Sequence, residues 1–502
     1  MTNPLPCAAS PETRQTTRSC PPVQPAPTGH PMHGTHFSPD NSSLDRRSFL
    51  GVAAAAAAGS TLETGAPLTG NRTPAATADA SSRDTPSQAT TTIKGYVRPD
   101  LESVRETFAA NARLMGTGGA AFAATHQGEI VVDLWAGMAD HDRPWLRNTR
   151  VHVQSTSKAV TAATAMVLHD RGELDLDAPV GHYWPEYATN GKEDTTVRML
   201  LSHAAGSTRL PGYTEFLDLD GNGFDQYDEI ARRLAAAAPD WEPGTAHGYH
   251  GYTYGNLVSE VVYRITGKRA GEFLRDEMAG PWQLNTWLGT PYEEQRDLAA
   301  IKPWPEAPVH ESVADMYASV AAQMEELDLS ALTDPTTWQY HAAFRGLLGG
   351  PMNVFMLQVG RLWSQPKALA AEFGAANVTT DARSLARLYT PLAMNGVLDG
   401  RQVVTPDTVR EFITPTPPGG PDLLIGLEQR WTPGSHHANN SYFPVLPPIY
   451  GPNPDAFGMS GGGGNYGFAD PAAGIAGGFV RNHYSNTMGL SALLVDALYK
   501  AL

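Results

Sequence analysis

The chain contains very few cysteine and lysine residues. Its 502 residues include two cysteines, Cys7 and Cys20, and both lie near the N-terminus. The rest of the sequence therefore excludes a disulfide, a cysteine nucleophile and a thiolate metal site. Lysine occurs seven times, so a lysine inside an apolar segment is not readily explained as a solvated surface charge.

Positive charge and long hydrophobic runs are also scarce. The formal net charge is −16, and residues 1–92 contain six basic and six acidic residues, so the negative excess lies within 93–502. An acidic body argues against nucleic acid and anionic membranes as partners. The alanine-rich run at 51–58 is too short to cross a bilayer, so we expect no membrane span.

The N-terminal region contains an export-signal pattern. The stretch at 45–50 reads Asp-Arg-Arg-Ser-Phe-Leu and precedes the alanine-rich run, which is typical of a twin-arginine signal. We therefore predict recognition by the twin-arginine export machinery and a secreted or periplasmic location. The signal region is placed at 1–66, and the candidate cleavage sites follow Ala66, Ala78 or Ala80.

Two further hypotheses concern the same region. Translation from Met32 would shorten an unusually long segment before the arginine pair and would leave both cysteines outside the protein. Residues 67–92 are rich in Thr, Ala, Ser and Pro, which predicts a disordered tether. The folded domain is then expected to span 93–502.

Hydrophobic patterns within this domain indicate the α+β class. Strand patterns near its start, a mostly helical middle and strand patterns after residue 402 predict one antiparallel sheet flanked by helices and interrupted by a helical insertion. The sheet part is placed at 93–155 and 376–502, and the mostly helical inserted domain at 156–375. The predicted strands are 120–125, 129–134, 151–154, 423–428, 457–459, 466–469 and 474–480, and the predicted helices include 101–114, 159–170, 196–202 and 491–502.

A serine and a lysine begin the most apolar of these helices. Ser155 and Lys158 are three residues apart, so one helical turn places both side chains on the same face. Burial and the positive end of a helix both disfavour the ammonium form of a lysine, and a neutral amine can accept a serine proton. We therefore predict that Ser155 is a nucleophile, that Lys158 is its base, and that the Ser155 N–H stabilises an oxyanion.

The same Ser-x-x-Lys pattern occurs a second time, at 364–367. This copy lacks a preceding strand and has Pro366 where the first turn of a helix tolerates proline. It is interpreted as the start of a surface helix. For any isolated Ser-x-x-Lys motif, a serine that caps a helix and a lysine that is solvated are the simpler explanation.

Six ordered blocks resemble the serine β-lactamase and penicillin-binding-protein superfamily, and within it the family VIII carboxylesterases. The likeness spans nearly all of 93–502 and implies a β-lactamase/DD-peptidase fold that requires no cofactor. The blocks are 132–137, 155–158, 174–180, 200–203, 243–250 and 467–471.

The resemblance also implies a catalytic tyrosine, for which two candidates exist. Tyr254 lies in a Tyr-x-Asn pattern like that of the lactamases, whereas Tyr249 lies six residues after Pro243, at the spacing that the family shows. We select Tyr249 as the proton carrier and interpret Tyr254 as core packing. His250 is interpreted as lining the pocket beside Tyr249, although a satisfied structural histidine is the more common role for such a residue.

The third family motif departs from the usual pattern. Where the lactamases have Lys-Thr-Gly and the esterases often have His-x-Gly, this chain has Met459, Ser460 and Gly461. The missing cation should weaken binding of a carboxylate such as that of a β-lactam nucleus, and Met459 should offer an apolar wall. By resemblance, the Gly462 N–H completes the oxyanion hole.

Two other patterns compete with this interpretation. Gly458 to Gly462 match the Gly-x-Ser-x-Gly elbow of α/β-hydrolases around Ser460, but the glycines that follow disfavour the helix that an elbow needs. His247 and His250 have metal-ligand spacing without a third ligand nearby, so no catalytic metal is expected.

A calcium-binding loop is a weaker alternative. Asp218, Asp220, Asn222 and Glu229 match ligand positions of an EF-hand loop, although Asp225 stands where an apolar residue is usual. An Asp- and Gly-rich surface loop that caps the next helix is the preferred explanation of the pattern.

The sequence thus predicts an exported serine hydrolase, a carboxylesterase that forms an acyl-enzyme with a small-molecule ester or amide. Three alternatives remain. These are a β-lactamase or D-amino-acid peptidase, a catalytically silent binding protein of the same fold, and an α/β-hydrolase acting through Ser460.

Overall fold

The computed structural model of the protein describes residues 92–114, 118–212, 215–218, 220–303, 362–424, 428–438, 448–484 and 489–502. The predicted export signal lies outside the described residues, as do both cysteines and nearly all of the predicted tether.

The strands come from both ends of the described domain. They are β1 Lys94–Val97, β2 Gly119–His126, β3 Glu129–Gly137, β4 Val151–His152, β5 Lys302–Pro303, β6 Thr379–Thr380, β7 Val397–Leu398, β8 Arg401–Gln402, β9 Phe457–Gly461, β10 Asn465–Asp470, β11 Ile475–Arg481 and β12 His483–Tyr484. Six of them form an antiparallel sheet in the order β1-β3-β2-β11-β10-β9. The predicted pairing of early with late strands is therefore confirmed.

The helices lie mainly between these two groups of strands. They are α1 Glu102–Leu114, α2 Ser157–Asp170, α3 Val180–Tyr183, α4 Val197–Leu201, α5 Tyr227–Ala236, α6 Thr253–Thr266, α7 Ala270–Phe273, α8 Tyr292–Gln295, α9 Pro366–Ala370, α10 Ala382–Ala393, α11 Pro406–Ile413 and α12 Gly489–Ala501. Short 3₁₀ turns occur at Pro99–Leu101, Gln154–Thr156 and Pro185–Tyr187, and a π-helical segment at Leu274–Ala279. None of the described helices is long and apolar enough to cross a membrane.

Local chemistry accounts for the hairpin formed by the predicted strands 120–125 and 129–134. β2 and β3 are joined by Gln127 and Gly128, whose φ angles of 52° and 84° both lie in the left-handed region. Two consecutive positive φ angles give a turn whose twist matches that of the strands it joins.

The faces of the sheet are covered by different helices. α1 and α12 contact each other and bury a core that includes Phe108, Phe122 and Leu494. α10 packs against β2, β10 and β11. A Cβ atom at Gly478 would lie 2.5 Å from the Leu385 Cβ atom, so glycine is what allows this helix to approach the sheet closely.

Helix α2 lies in the larger core. Its residues from Ser157 to Leu168 are buried, and it packs against α6. The prediction of a helix that is apolar on every side and enclosed by the domain is confirmed. Its rigid packing fixes the turn that precedes it.

Two predicted strands differ from the structure. The segment 151–154 is extended only over Val151–His152, because Gln154 begins the 3₁₀ turn. The described part of 423–428 is not a strand, since residues 423 and 424 form a turn and Glu428 makes an isolated bridge with Pro421. The alternation of apolar and polar residues in the sequence did not reveal that these residues belong to turns and loops rather than to a sheet.

The second Ser-x-x-Lys copy begins a short surface helix, as predicted. Pro366 occupies the first turn of α9, and Lys367 is exposed. The Lys367 ammonium donates a hydrogen bond to the Asn222 side chain. This lysine therefore has none of the burial that distinguishes Lys158.

Candidate active site

Ser155 lies on a tight turn at the entrance to α2. The Gln154–Thr156 turn is preceded by β4, and Gln154 adopts a left-handed backbone conformation with φ of 50°. Such a conformation is costly for a residue other than glycine and is often found at functional sites. Ser155 is partly exposed, whereas Gln154 and Thr156 are buried, so the turn presents Ser155 to solvent.

The turn is held against the end of the sheet. The Thr156 hydroxyl donates to the main-chain oxygens of Met459 and Asn465, at 3.3 and 3.2 Å. A Cβ atom at Gly461 would lie 2.1 Å from the Val153 carbonyl oxygen and 2.9 Å from Thr156 Oγ1. Only glycine leaves room for β9 to contact this turn.

Lys158 is completely buried beneath Ser155. Its Nζ atom lies 3.3 Å from Ser155 Oγ and 2.8 Å from each of the carbonyl oxygens of Gly251 and Ala375. Burial lowers the pKa of Lys158 well below 10.5, because the charged form loses its hydration. Within the described part of the chain, no carboxylate forms an ion pair with Nζ.

These three contacts can be made by a neutral amine. Two N–H groups can donate to the Gly251 and Ala375 carbonyls, and the remaining lone pair then faces the Ser155 hydroxyl. The arrangement can therefore accept the serine proton, which is the chemistry that a Ser–Lys pair requires.

Tyr249 lies next to the same amine. Lys158 Nζ is 4.6 Å from the centroid of the Tyr249 ring, and the tyrosine side chain is partly exposed. Its ring stacks on Trp431, with centroids 5.4 Å apart and planes 9° from parallel, and it packs at a tilt against His203. The structure thus brings together Ser155, Lys158 and Tyr249.

Tyr254 occupies a different environment. It lies on α6, is completely buried and packs against His203 with ring centroids 4.8 Å apart. Burial raises the pKa of its hydroxyl, because the phenolate would lose its hydration. This placement agrees with the interpretation of Tyr254 as core packing.

His250 lies behind Tyr249 and does not line an open cleft. It is completely buried; its Nδ1 atom is 2.8 Å from the Gly248 carbonyl oxygen, and its Nε2 atom accepts the Ser207 N–H at 3.1 Å. Both ring nitrogens are therefore used to hold the loop. The interpretation of His250 as a pocket residue is replaced by the structural alternative.

His247 is also committed to the backbone. Its Nδ1 atom donates to the Pro418 carbonyl oxygen at 2.7 Å. Among the described residues, no group of three or more His, Cys, Asp or Glu side chains is placed to bind a metal ion.

Met459, Ser460 and Gly461 of the third motif are all buried in β9. Met459 is 1% exposed and belongs to the core that includes Phe457, so it does not form the apolar wall expected of it. Ser460 is buried within β9 and pairs with Tyr466 of β10. The alternation of the strand turns the Met459 side chain into the core, which the motif alone did not reveal.

Ser460 therefore does not occupy a nucleophile elbow. β9 continues through the turn at 462–464 into the antiparallel strand β10, and no helix follows the serine. An elbow requires a strand-to-helix turn that exposes the hydroxyl.

Gly462 is the partly exposed residue of this motif. A Cβ atom at Gly462 would lie 3.6 Å from Gln154 Cγ, so this glycine borders the Ser155 turn. Among the described residues the Gly462 N–H has no hydrogen-bond acceptor. The fully buried Arg481 donates from Nε to the Gly463 carbonyl oxygen and so holds the adjoining turn.

The residues of the EF-hand-like pattern have other partners. The Asp218 carboxylate accepts the N–H groups of Asp220 and Asn222 and the Asn222 side-chain amide, which closes the loop on itself. Glu229 lies on α5 and pairs with Arg232 and Arg233. The predicted calcium site is therefore not supported, because Glu229 is held by arginines of its own helix.

Sequence reasoning missed several residues that shape the site. The Gly251 and Ala375 carbonyls hold Lys158, and Asp422 and Trp431 support Tyr249. These groups lie far apart in the sequence, and backbone carbonyls carry no residue-type signal. His203 lay within a recognised block, and its buried ring packs against both tyrosines.

Comparisons with known proteins agree with this geometry. A family model described as Beta-lactamase matches residues 107–498. The chain is 30% identical over 395 residues to Esterase/beta-lactamase LipL of Mycobacterium tuberculosis, covering 78% of this chain and 83% of that protein.

Solved structures also match this chain over most of its length. The crystal structure of a family VIII carboxylesterase matches with a TM-score of 0.66 and 31% identity, covering 82% of this chain and 100% of that one. A penicillin-binding protein homologue from Caulobacter crescentus matches with a TM-score of 0.64 and 32% identity, at the same coverage of both chains.

Proposed function

The chain belongs to the beta-lactamase family of serine hydrolases, and from that premise we propose that it is an exported carboxylesterase acting through an acyl-enzyme on Ser155. The observation that carries the proposal is the position of the Lys158 amine, which is buried and 3.3 Å from Ser155 Oγ. The names of two similar proteins, Esterase/beta-lactamase LipL and a family VIII carboxylesterase, support an ester substrate.

In the acylation step, neutral Lys158 takes the hydroxyl proton of Ser155 while Oγ attacks the ester carbonyl carbon. The carbonyl π electrons move to oxygen, and the N–H groups of Ser155 and Gly462 stabilise the resulting oxyanion. The ester C–O bond then breaks. Tyr249 gives its phenolic proton to the departing alcohol oxygen and recovers a proton from Lys158.

Deacylation repeats these steps with water. Lys158 and Tyr249 together remove a proton from a water molecule, whose oxygen attacks the acyl carbon. The bond between the acyl carbon and Ser155 Oγ breaks, Oγ is reprotonated, and the carboxylic acid leaves. No cofactor takes part in either step.

Ester substrates are favoured over β-lactams by the chemistry of the third motif. Met459 stands where the lactamases have a lysine, and its side chain faces the core. That position therefore offers no cation to the carboxylate of a β-lactam nucleus. β-Lactam hydrolysis is a second candidate activity, because it needs the same acylation chemistry and the name of LipL includes it.

A direct comparison of substrates tests the proposal. Purified protein is assayed with a short-chain p-nitrophenyl ester and with a chromogenic cephalosporin, and we expect the ester to be turned over far more efficiently. Preferential hydrolysis of the cephalosporin would reverse the assignment.

Covalent labelling identifies the nucleophile. A fluorophosphonate probe should label wild type and Ser460→Ala but not Ser155→Ala. Labelling that survives in Ser155→Ala and disappears in Ser460→Ala would contradict the proposal, and absence of both labelling and turnover would favour a silent binding protein.

Export through the twin-arginine pathway is proposed from the residues at 45–50. Substitution of both Arg46 and Arg47 by lysine should retain the precursor inside the cell, whereas wild type should be recovered outside with a new N-terminus after Ala66, Ala78 or Ala80. Equal export of the two proteins would contradict this part of the proposal.

A further inference from the structure

We propose that Asp422 is a positioning residue that fixes Tyr249 against Lys158, an inference that rests on the proposed role of Tyr249 as the proton carrier. Asp422 is completely buried and lies 173 residues from Tyr249 in the sequence. Neither the family likeness nor any pattern in the sequence assigns it a role.

The Asp422 carboxylate holds the backbone of Tyr249. Its Oδ1 atom accepts the Tyr249 N–H at 3.1 Å and the Leu424 N–H at 2.9 Å. The adjoining Leu423 N–H donates to the His247 carbonyl oxygen at 3.0 Å. The segment at 421–424 is thereby fastened along the loop that carries the tyrosine.

The second carboxylate oxygen of Asp422 fixes the tryptophan on which the tyrosine ring stacks. Asp422 Oδ2 accepts the indole N–H of Trp431 at 2.8 Å, and this indole stacks nearly parallel on the Tyr249 ring. Trp431 is 1% exposed, so its position is fixed by packing as well. One carboxylate therefore anchors both the backbone of Tyr249 and the surface against which its ring lies.

This double anchor restricts the phenol where proton transfer requires it. The backbone contact fixes the main chain from which the tyrosine side chain extends, and the ring stack limits the two torsions that orient its ring. The centroid of the ring is held 4.6 Å from Lys158 Nζ. Proton transfer depends steeply on such geometry, and a displacement of about 1 Å can lower a rate about 100-fold.

An amide at this position would break the arrangement. Asparagine keeps the shape of aspartate, but its NH₂ group must face either the Trp431 indole N–H or the two backbone N–H groups. A donor would then oppose a donor within the buried site. Trp431→Phe keeps an aromatic ring beside Tyr249 but removes the N–H together with part of the indole, so it tests the same contact from the tryptophan side.

The test compares kcat and KM for a short-chain p-nitrophenyl ester in four proteins. These are Asp422→Asn, Trp431→Phe, Tyr249→Phe and the double variant Asp422→Asn/Tyr249→Phe, each with its thermal unfolding midpoint. We expect Asp422→Asn to lower kcat about 10- to 100-fold with little change in KM, and Trp431→Phe to lower kcat about fivefold. The double variant should be no slower than Tyr249→Phe, because the anchor acts only through the phenol.

Each failure has a distinct signature. If Asp422→Asn and Trp431→Phe turn over at the wild-type rate while Tyr249→Phe does not, the positioning role is wrong and the proposed function stands. A further loss of kcat in the double variant, equal to that in the single variant, also overturns the positioning role. Undiminished turnover by Tyr249→Phe overturns the proposed mechanism and this inference with it. If Asp422→Asn does not fold, the kcat of Trp431→Phe tests the positioning role instead.

Discussion

The Nζ atom of Lys158 lies 3.3 Å from the Oγ atom of Ser155, and the lysine side chain is completely buried. Two backbone carbonyls accept hydrogen bonds from the N–H groups of that amine. The lysine is thus prepared as a base by its surroundings before any substrate arrives.

The first prediction concerns the pH dependence of ester hydrolysis. Burial lowers the pKa of Lys158, and only the neutral amine can accept the Ser155 proton. We expect kcat/KM to fall about tenfold per pH unit below that pKa and to be constant above it.

Lys158→Arg is the matching variant for this prediction. The guanidinium keeps its proton at every accessible pH, so turnover should be lost, by roughly 10³-fold or more. A wild-type rate that is independent of pH wherever the protein stays folded, or an active Lys158→Arg protein, would contradict the role of Lys158.

The second prediction separates the two tyrosines. Tyr249→Phe should lower kcat about 10²- to 10⁴-fold, because it removes the phenol beside Lys158. Tyr254→Phe removes a hydroxyl that is buried in the core, and it should retain turnover. Steady-state kinetics on both proteins checks this, and the opposite pattern would transfer the role to Tyr254.

The third prediction uses two adjacent glycines. A Cβ atom at Gly461 would lie 2.1 Å from the Val153 carbonyl oxygen, whereas one at Gly462 would make an ordinary contact of 3.6 Å with Gln154. Gly461→Ala should therefore lower the free energy of unfolding by about 1–3 kcal/mol and reduce activity by displacing the Ser155 turn.

Gly462→Ala is the control, since it keeps the N–H proposed for the oxyanion hole. We expect near-wild-type stability for this protein, measured by denaturant unfolding. Equal effects of the two substitutions would mean that the contact between β9 and the Ser155 turn does not set the geometry of the site.

The fourth prediction concerns stability in acid. Burial lowers the pKa of His152, His436 and His437 to about 3 and that of His250 to about 4. The unfolded chain therefore binds protons below about pH 6.5 that the folded chain does not, and stability falls as the pH decreases from 6.5 towards 4. Each buried histidine contributes up to about 1.4 kcal/mol per pH unit in this window.

His437→Gln should weaken this dependence by about one proton. The glutamine can still donate to Gln429, the partner of the His437 Nδ1 atom. Unfolding free energies are compared between pH 4 and 8, and above about pH 7 the curves for the two proteins should run parallel. Identical slopes in acid would show that His437 is not kept neutral by the fold.

Local patterns in the sequence determined much of the architecture. Two short apolar runs separated by a turn at 126–128 specified the hairpin of β2 and β3, and continuous apolarity specified the buried helix α2. The same helical spacing placed Ser155 and Lys158 one turn apart. These relations join residues close together in the chain, so their geometry follows from backbone periodicity.

The tertiary structure decided what surrounds these residues. Alternation gives a strand two faces without showing which one is enclosed, and so the burial of Met459 was not anticipated. The sequence allows Glu229 to point into the Asp218 loop. In the structure its carboxylate instead forms ion pairs with arginines of its own helix.

By itself, the sequence determined the antiparallel sheet, the buried helix and a serine and lysine on one helical face. Only the tertiary structure showed that the Gly251 and Ala375 carbonyls enclose the amine and that Asp422 anchors Tyr249. The physical reason is that these contacts join segments more than 90 residues apart, through groups whose partners are selected by packing of the whole domain.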